Sequence, residues 1–476
     1  MHVIAFPYGD ALAAFAALAG DPFCAVLDSA AVGDPRARWS FIATDPFAVI
    51  CADARGTTVD GRPVAQDPFA ALEAALAAHG GADVGAEVGA EVGTDLEGPA
   101  PFLTGAVGFL GYELGRHLER LPAPRPAAPA IPEMAFGLYD TIAAFDHDAR
   151  RAFVLSSGRP ERDPAARQAR AKRRAAWLHG RLAGAPAAPP KADWRARGRF
   201  VADQPRAAVE RAVARVIDYI RAGDIFQANL THQMRAAVPA GLDDFELYLR
   251  LRETSPAPFA AFLKCGADLS VMSASPERFL SLSTDGRVET RPIKGTRPRG
   301  ADPAADAALA RELVASAKDR AENLMIVDLM RNDLGRVSRT GSVKVPVLCG
   351  LETFASVHHL VSVVESTLKE GKGPVDLLRA CFPGGSITGA PKIRAMEIIH
   401  ELEPAPRGVY CGAIAWIGFD GAMDSSIVIR TVTRAGSTLL TQAGGGIVAD
   451  SDPAAEYEES LVKLAPMLRA LSGADR

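Results

Sequence analysis

The order of strand-like and helix-like segments after residue 195 constrains the fold more than any other feature of this chain. Apolar or alternating runs at 259–263, 269–275 and 279–282 follow one another with short connections, a pattern typical of an antiparallel sheet. Farther along the chain, strands and helices do not follow a strict β–α–β rotation. The pattern predicts an α+β fold and disfavours a parallel Rossmann sheet.

Helices are predicted where apolar residues recur at helical spacing, and strands where they alternate or run together. In the N-terminal part, strand-like runs at 47–50 and 153–155 again favour an α+β arrangement. The remaining predicted helices lie at about 209–220, 306–334, 375–380, 391–401 and 453–471, and the remaining predicted strands at about 409–419, 425–433 and 438–443.

The composition is that of a folded protein with a large core. Of the 476 residues, 48% are hydrophobic and 23% are charged, far from the composition of disordered chains. The 53 basic and 57 acidic side chains leave a formal net charge of -4, so no global positive field favours nucleic acid or an anionic membrane. We therefore expect neither nucleic acid nor a membrane as a partner, and we expect the ligand in a local pocket.

Cysteine usage and the N-terminus predict a cytoplasmic protein. The six cysteines are scattered, without a CxxC pair or zinc-type spacing, as expected of buried thiols in a reducing compartment. The apolar stretch at 11–20 is too short to span a bilayer and lacks the flanks of a signal peptide.

Two connector-like stretches indicate how the chain is divided. A tandem repeat of small and acidic residues at 80–98 has no apolar face and is predicted to be a mobile surface loop. An Ala/Arg-rich stretch at 163–199 carries at most one exposed helix, at about 165–182. We predict an N-terminal region at 1–185 and a main domain at 195–474.

Lys294 is the first candidate for chemistry. It stands in a segment, 291–299, whose backbone is restricted by two prolines and bent by a glycine. Desolvation and neighbouring arginines would lower the pKa of such a lysine and provide the neutral amine that a nucleophile needs. The alternative is an ordinary exposed loop lysine, since most lysines are exposed.

Three glutamates are candidate metal ligands. Glu322 lies among aliphatic residues, where a carboxylate is costly unless it is paired or bound to a metal. Glu456 and Glu459 share one face of a C-terminal helix with Lys463, although Glu459 and Lys463 are also compatible with a common exposed ion pair. Few carboxylates, with room for water and a substrate oxyanion, suit Mg²⁺.

Two glycine-rich segments are candidate anion-binding loops. The first, 382–392, runs into a helix that Pro391 can open, but it lacks the Lys-Ser/Thr of a P-loop, so a nucleotide is not implied and a carboxylate is permitted. The second, Gly444–Gly446 after a predicted strand, is equally compatible with a bulge or a tight turn. Arg430, on a predicted apolar strand, would be costly there unless it binds an anion or pairs with a carboxylate.

Adjacent histidines complete the set. If 357–360 is a strand, His358 and His359 point to opposite faces, and one of them can face a cavity. Together with the lysine, the arginine, the carboxylates and the glycine-rich segments, they describe a pocket for a small dianionic metabolite.

Six motifs closely resemble those of the chorismate-utilising enzymes. The resemblance runs from about 205 to 471, with a weaker likeness at 108–116 and 27–29. The motifs are SPERF at 275–279, PIKGT at 292–296, RAENLMIVDLMRNDLGRV at 320–337, VHHLVS at 357–362, FPGGSITGAPK at 382–392 and AGGGIVADSDPAAEYEE at 443–459.

The resemblance implies a fold, a cofactor and a set of residue roles. It implies one large α+β body of two facing antiparallel sheets flanked by helices, with 195–474 as the chorismate-binding catalytic domain. By resemblance, Lys294 attacks C2 of chorismate, Glu277 donates a proton and His359 lies beside the ring. The same resemblance implies Mg²⁺ held by Glu322 and Glu459 with Glu456 nearby, and substrate contacts from Gln227, Thr296, Ser386, Arg430, Gly444, Gly445, Gly446 and Lys463.

Within the family, two positions indicate the reaction. A lysine at 294 resembles the residue found in the family branch that aminates chorismate at C4. That reaction gives 4-amino-4-deoxychorismate, in the pathway to 4-aminobenzoate and folate. Anthranilate synthases usually carry alanine at this position. Isochorismate and salicylate synthases place a base lysine where this chain has Gln227. The alternatives are an anthranilate synthase component I and a non-catalytic subunit that binds chorismate.

The resemblance also implies partners. No cysteine lies in the Gly-x-Cys-x-Gly turn of a glutaminase, so ammonia is expected from a separate glutaminase subunit. The chain ends soon after the helix of Glu459, which leaves no room for a pyruvate-eliminating lyase, so the product is expected to keep its enolpyruvyl group. Some relatives bind tryptophan between the sheets; 27–29 and 38–40 fall in the corresponding region but are equally compatible with ordinary strand and turn residues.

Overall fold

The computed structural model describes residues 1–31, 34, 36–80, 100–123, 125–186, 188, 191–354 and 357–473. From residue 81 onward, the repeat predicted to be a mobile loop lies outside these residues, as do Pro189 and Pro190 of the second connector.

Short strands make up most of the regular structure, and helices flank them. The strands are β1 (His2–Phe6), β2 (Cys24–Asp28), β3 (Trp39–Ala43), β4 (Ala48–Asp53), β5 (Gly56–Val59), β6 (Arg62–Val64), β7 (Gly105–Leu110), β8 (Met134–Tyr139), β9 (Thr141–Asp146), β10 (Arg151–Ser156), β11 (Val201–Ala202), β12 (Gln227–Ala237), β13 (Phe259–Lys264), β14 (Leu269–Ser275), β15 (Arg278–Leu282), β16 (Arg287–Thr290), β17 (Ile293–Pro298), β18 (Lys344–Thr353), β19 (Val357–Thr367), β20 (Gly389–Ala390), β21 (Ala413–Gly418), β22 (Met423–Ile427), β23 (Thr431–Ala435) and β24 (Thr438–Ile447). The α-helices are α1 (Ala11–Ala16), α2 (Pro68–His79), α3 (Pro164–Leu182), α4 (Arg206–Arg221), α5 (Asp244–Thr254), α6 (Pro303–Ala315), α7 (Ala317–Val337), α8 (Pro374–Cys381), α9 (Lys392–Leu402) and α10 (Pro453–Ser472).

Within the described residues, the strands form two sheets of 12 strands each, and the pairings are antiparallel. The first sheet has the order β1-β10-β9-β3-β2-β13-β14-β23-β24-β12-β11, with β20 on β12. The second has the order β17-β19-β16-β15-β22-β21-β7-β8-β4-β5-β6, with β18 on β19. The predicted α+β fold with two large antiparallel sheets is confirmed.

Strands of the predicted N-terminal region pair with strands of the predicted main domain in both sheets. In the first sheet β2 pairs with β13, for example Val26 opposite Phe262. In the second sheet β7 pairs with β21, for example Val107 opposite Trp416. The predicted N-terminal region and main domain therefore share both sheets, and their boundary stays a prediction.

Aromatic side chains fill the space between the two sheets. Phe41 of the first sheet, Trp416 of the second and Phe102 form a cluster with ring centroids 5.0 Å to 6.3 Å apart. Each large aromatic side chain buries a large apolar area, so such side chains dominate the stability of a core. The sheets therefore face each other across one continuous core.

The first sheet is covered on its other face as well. Phe15 of α1 and Phe245 of α5 pack on Phe262 of β13. Burial on both faces explains why β13 is continuously apolar rather than alternating. Helix α3 also buries one face here, through Ala175 and Leu178, so this predicted helix exists but is not simply exposed.

The helical stretch predicted at 306–334 is two helices rather than one. Ser316 ends α6, and its hydroxyl accepts a hydrogen bond of 3.2 Å from the backbone N–H of Asp319, so the same residue caps the start of α7. Its extended backbone breaks the helical path. Glu322 consequently lies in the second turn of α7.

The single strand predicted at 425–433 is wrong. It is divided into β22 and β23, and Arg430 lies in the connection with a φ of 54°, a left-handed conformation that non-glycine residues rarely adopt. The Arg430 side chain reaches α10, where Nη1 donates to the carbonyl oxygen of Lys463 at 2.6 Å.

The glycine run was predicted to follow a strand, and this too is wrong. Gly444–Gly446 lie inside β24, opposite Thr231, Leu230 and Asn229 of β12. A Cβ atom on Gly444 would lie 1.9 Å from the carbonyl oxygen of Leu230, which accounts for glycine at this position in a strand.

No helix of the described part of the chain is long and apolar enough to cross a membrane. All six cysteines are free thiols, consistent with their scattered spacing in the sequence.

Candidate active site

Lys294 lies on β17, next to β19 of the second sheet. Lys294 pairs with Leu360 and Thr296 with His359, and the register shifts between them at Gly295, which has a φ of 81°. A Cβ atom on residue 295 would lie 2.9 Å from Leu313 Cδ1, so the bulge needs glycine both for its backbone and for its closeness to α6. The predicted bend is thus a β-bulge.

The Lys294 side chain is half-buried and points toward the 382–392 segment. Its Nζ donates to the carbonyl oxygen of Ser386 at 3.4 Å. Burial lowers the pKa of Lys294; Glu322 opposes this shift, and Lys463 adds to it. The direction of this shift is the one that the sequence predicted for a nucleophilic amine, and the role of Lys294 stays a prediction.

Glu277 lies close to Lys294 in the connection between β14 and β15. The backbone N–H of Glu277 donates to Ser275 Oγ at 3.3 Å, and Ser275 Oγ donates to the carbonyl oxygen of Ile427 at 2.6 Å. Burial raises the pKa of Glu277 to about 7, against the lowering effects of the Ser386 hydroxyl and the Lys294 charge. The carboxyl group is therefore suited to proton transfer near neutral pH.

The 382–392 segment packs on helix α7. A Cβ atom on Gly385 would lie 2.8 Å from Leu329 Cδ2 of that helix, and Thr388 Oγ1 donates to the carbonyl oxygen of Gly384 at 2.9 Å. Pro391 directly precedes α9, as predicted. The segment places Ser386 between Lys294 and Glu277.

A buried ion pair supports this segment from behind. Arg407 and Glu403, whose side chains are 1% and 7% exposed, lie 2.6 Å apart. Arg407 also donates to the carbonyl oxygens of Ile387 at 2.8 Å and Asn229 at 2.6 Å. Glu403 in turn accepts from the backbone N–H and hydroxyl of Thr231. Sequence reasoning missed this pair, although its i,i+4 spacing was visible.

Gln227, the first residue of β12, has a fully buried side chain that faces Lys294. Neither its Oε1 nor its Nε2 has a hydrogen-bond partner among the described residues. A Cβ atom on Gly446 would lie 2.6 Å from Gln227 Nε2 and 3.3 Å from Lys294 Nζ. Buried amides are normally hydrogen-bonded, so this amide is available to a ligand.

Lys463, on α10, meets the glycine run from the other side. Its Nζ donates to the carbonyl oxygen of Gly444 at 2.8 Å and lies 2.7 Å from Glu459 Oε1. Arg430 contacts the backbone of the same lysine, and burial lowers the pKa of Arg430. One cation therefore lies directly against the glycine run, and the second contacts the backbone of that lysine.

The three glutamates converge on lysines. Glu322 Oε1 and Glu456 Oε1 lie 4.0 Å and 3.9 Å from the Nζ of Lys318, a residue that the sequence analysis did not single out. Glu456 also accepts from Ser451 Oγ at 2.6 Å. Glu459 is 56% exposed and forms the ion pair with Lys463 that the sequence offered as an alternative.

The donors can be compared with the needs of a magnesium ion. No group of three or more His, Cys, Asp and Glu side chains in the described ranges is arranged to hold a metal. Glu322 and Glu456, however, already share one cation, the Lys318 ammonium, and Mg²⁺ is commonly held by one or two carboxylates plus water and substrate oxygens. The oxygen donors present fit Mg²⁺ in this way.

The two histidines face opposite sides of β19, as predicted. His358 is buried and lies 2.9 Å from both Asp306 and Thr353. His359 Nδ1 lies 2.9 Å from Thr296 Oγ1, and burial lowers the pKa of His359 to about 4. His359 is therefore neutral at pH 7, on the same strand pair as Lys294.

A separate cavity of about 250 Å³ lies between the sheets. It is lined by Leu27, Asp28, Ser29, Arg38 and Trp39 among others, the segments considered for tryptophan in the sequence analysis. Lys294 does not line it, so this cavity is distinct from the candidate active site.

Comparison with known proteins identifies the family. The model of the chorismate binding enzyme family matches residues 28–469 of this chain. The chain therefore belongs to the chorismate-binding enzymes.

The relatives include two kinds of amination enzyme. The chain is 41% identical to an aminodeoxychorismate synthase component 1 from Klebsiella aerogenes, covering 96% of this chain and 95% of the relative. It is 42% identical to an anthranilate synthase component 1 from Streptomyces coelicolor, covering 97% of this chain and 86% of the relative. The overall identities therefore define a chorismate-utilising enzyme and do not separate these two activities.

Solved structures share the fold. Anthranilate synthase component I from Streptococcus pneumoniae superposes with a TM-score of 0.78 at 32% identity, covering 91% of this chain and 92% of that one. The menaquinone-specific isochorismate synthase of Escherichia coli has a TM-score of 0.70 at 16% identity, covering 99% and 94%, a likeness of fold alone.

Proposed function

We propose that the protein aminates chorismate at C4 with ammonia to give 4-amino-4-deoxychorismate, as component I of an aminodeoxychorismate synthase in 4-aminobenzoate and folate biosynthesis. The observation that carries the proposal is the Lys294 amine. It has a lowered pKa and lies beside Ser386, Glu277 and Gln227, where a covalent nucleophile is needed.

The proposed reaction consists of two displacements, and atoms and charges balance in both. Neutral Lys294 forms a bond to C2 of chorismate, the two ring double bonds shift, and the C4–O bond breaks. Glu277 gives its proton to the departing hydroxyl, which leaves as water. Ammonia then bonds to C4, the double bonds shift back, the bond from Lys294 Nζ to C2 breaks, and the excess proton returns to Glu277.

The charges around Lys294 support binding of a dianion. Arg430, Lys463 and the strand of Gly444–Gly446 would hold the enolpyruvyl carboxylate. Ser386 and Thr296 would bind further oxygens of the substrate. The neutral His359 would lie beside the ring without adding a charge. The unpartnered amide of Gln227 would complete its hydrogen bonds with bound ligand.

Magnesium is part of the proposal. The resemblance implies Glu322 and Glu459 as its ligands, with Glu456 nearby. We propose instead that Glu322 and Glu456, which share the Lys318 ammonium, would hold it, because Glu459 is paired with Lys463. When bound, it would neutralise the ring carboxylate of the substrate, whose burial would otherwise be costly.

We also propose a separate glutaminase as the ammonia source. Related proteins are named component 1, which implies a second component in those enzymes. None of the six cysteines here lies in a glutaminase nucleophile motif.

Anthranilate synthase component I is the second candidate, because the relatives with that name are as similar as the others. The lysine at 294 favours the first candidate, since the anthranilate synthase motif usually carries alanine there. A non-catalytic chorismate-binding subunit would not need a lysine with a lowered pKa at this position.

Product identification tests the proposal. Purified protein is incubated with chorismate, ammonium and Mg²⁺, without a lyase, and the products are analysed by mass spectrometry and fluorescence. We expect 4-amino-4-deoxychorismate, and a trapped covalent adduct on Lys294 that is absent in Lys294→Ala. Anthranilate as the product would reject the proposal in favour of the second candidate, and a product yield unchanged by Lys294→Ala would reject the covalent step.

A further inference from the structure

We propose that Lys318 is an internal counter-ion that occupies the cation position between Glu322 and Glu456, and that it must move out before a divalent ion can bind there. The inference rests on the proposed function, in which these carboxylates hold Mg²⁺. It assigns to Lys318 control over metal affinity, with no role in contact with the reacting atoms.

The position of Lys318 differs from that of an ordinary surface lysine. Its Nζ lies 4.0 Å from Glu322 on its own helix and 3.9 Å from Glu456 on helix α10. The two carboxylates are 15% and 9% exposed, so they need a positive partner more than surface carboxylates do. A single ammonium group therefore bridges two helices at the predicted metal position.

Lys318 is also able to leave. Its side chain is 54% exposed, whereas the side chains of Glu322 and Glu456 are 15% and 9% exposed and Glu456 accepts a hydrogen bond from Ser451 Oγ. Neither contact is a hydrogen bond of ordinary length, since both distances are near 4 Å. The lysine is thus held by charge alone and can turn into solvent at small cost.

The other cations near the carboxylates are held differently. Lys463 donates to Gly444 and pairs with Glu459, and Lys294 donates to Ser386. The charge of Lys294 also acts on Glu322, but Lys294 and Lys463 are each fixed by a hydrogen bond to a backbone carbonyl oxygen, whereas the contacts of Lys318 with Glu322 and Glu456 are both near 4 Å. Lys318 is therefore the lysine we expect a divalent ion to displace.

Direct metal binding tests the inference. Binding of Mn²⁺ alone is measured by electron paramagnetic resonance of the free ion, and Mg²⁺ binding by calorimetry, on wild type and Lys318→Met. Because the substitution removes a competing positive charge about 4 Å from two carboxylates, we expect binding about tenfold tighter. Lys318→Arg keeps the charge and should bind no more tightly than wild type.

Two controls separate this effect from a general change of charge. Lys172→Met removes an exposed lysine from α3, and its Mn²⁺ affinity should equal that of wild type. Adding Glu456→Gln to Lys318→Met should abolish the gain, because one of the two ligands is lost. Circular dichroism verifies that the variants are folded, and Lys318→Gln provides a second neutral variant.

Equal or weaker Mn²⁺ binding by both neutral variants would overturn the inference, and so would the absence of Mn²⁺ binding by all forms. These results are independent of product identity. Anthranilate formed by a wild-type enzyme whose Lys318→Met variant binds Mn²⁺ more tightly would reject the proposed function while leaving the role of Lys318 intact.

Discussion

Glu277 provides the sharpest test of the proposed chemistry, because its pKa of about 7 predicts the pH dependence of its role. As the proton donor to the leaving hydroxyl, it must be protonated, so activity should fall as the pH rises through 7. A group with this pKa is about 91% protonated at pH 6 and about 9% at pH 8. The protonated fraction of Glu277 therefore falls about tenfold over this interval, and its contribution to the rate falls with it.

The need for a deprotonated Lys294 gives the opposite pH dependence. Lys294 must be deprotonated to attack, and its lowered pKa moves that requirement toward neutral pH. Activity should thus rise on the acidic side and fall on the alkaline side. Glu277→Gln should lower kcat by about 10²–10⁴ and remove the alkaline fall while keeping the acidic rise.

The assay must keep the ammonia supply constant. Free ammonia rises with pH, so ammonium is adjusted to hold free ammonia fixed, and product is quantified by mass spectrometry at saturating chorismate. The matched control is Glu365→Gln, which removes an exposed carboxylate from β19 of the same sheet. Its activity should still rise on the acidic side and fall on the alkaline side. An alkaline fall that persists in Glu277→Gln would refute the assignment of Glu277 as the acid.

Two further variants test the surroundings of the site. Arg407→Met leaves the buried Glu403 carboxylate without its cation and should lower the free energy of unfolding by about 3–5 kcal/mol in urea titrations. Arg407→Lys keeps a positive charge and should lose only part of this stability. A change below about 1 kcal/mol in Arg407→Met would contradict the assigned role. Gly446→Ala places a Cβ atom 2.6 Å from Gln227 Nε2 and should reduce kcat/KM with an unchanged circular dichroism spectrum, whereas Gly335→Ala, where no atom lies within 4 Å, should leave kcat/KM as it is.

The sequence contained strong signals for the fold and the chemical groups of the site. Helix and strand periodicity depend on residues near one another in the chain, and this is why α4 and β13 were located closely. Lys294 became a candidate because proline and glycine restrict the backbone around it, and its predicted role came from the resemblance to the chorismate-utilising enzymes. The carboxylate of Glu322 was identified because its aliphatic neighbours make an isolated charge costly.

The errors came from features that local pattern does not encode. Arg430 adopts a left-handed conformation that its residue type disfavours, so the apolar run around it looked like one strand. The glycines of 444–446 sit inside a strand because β12 and the Gln227 amide approach closely, a tertiary reason. Ser316 divides two helices without a proline or glycine. Lys318 was missed because its second partner, Glu456, is distant in sequence.

Each sheet contains strands from distant parts of the chain, and this affects how the chain folds. Because β2 must find β13 and β7 must find β21, each sheet is completed only when strands far apart in the chain meet. Such non-local pairing slows folding and leaves early strands with unpaired edges that are prone to aggregate. A nascent chain released before β24 is complete would lack the strand that carries Gly444–Gly446, so we expect truncated translation products of this protein to be insoluble rather than partly active.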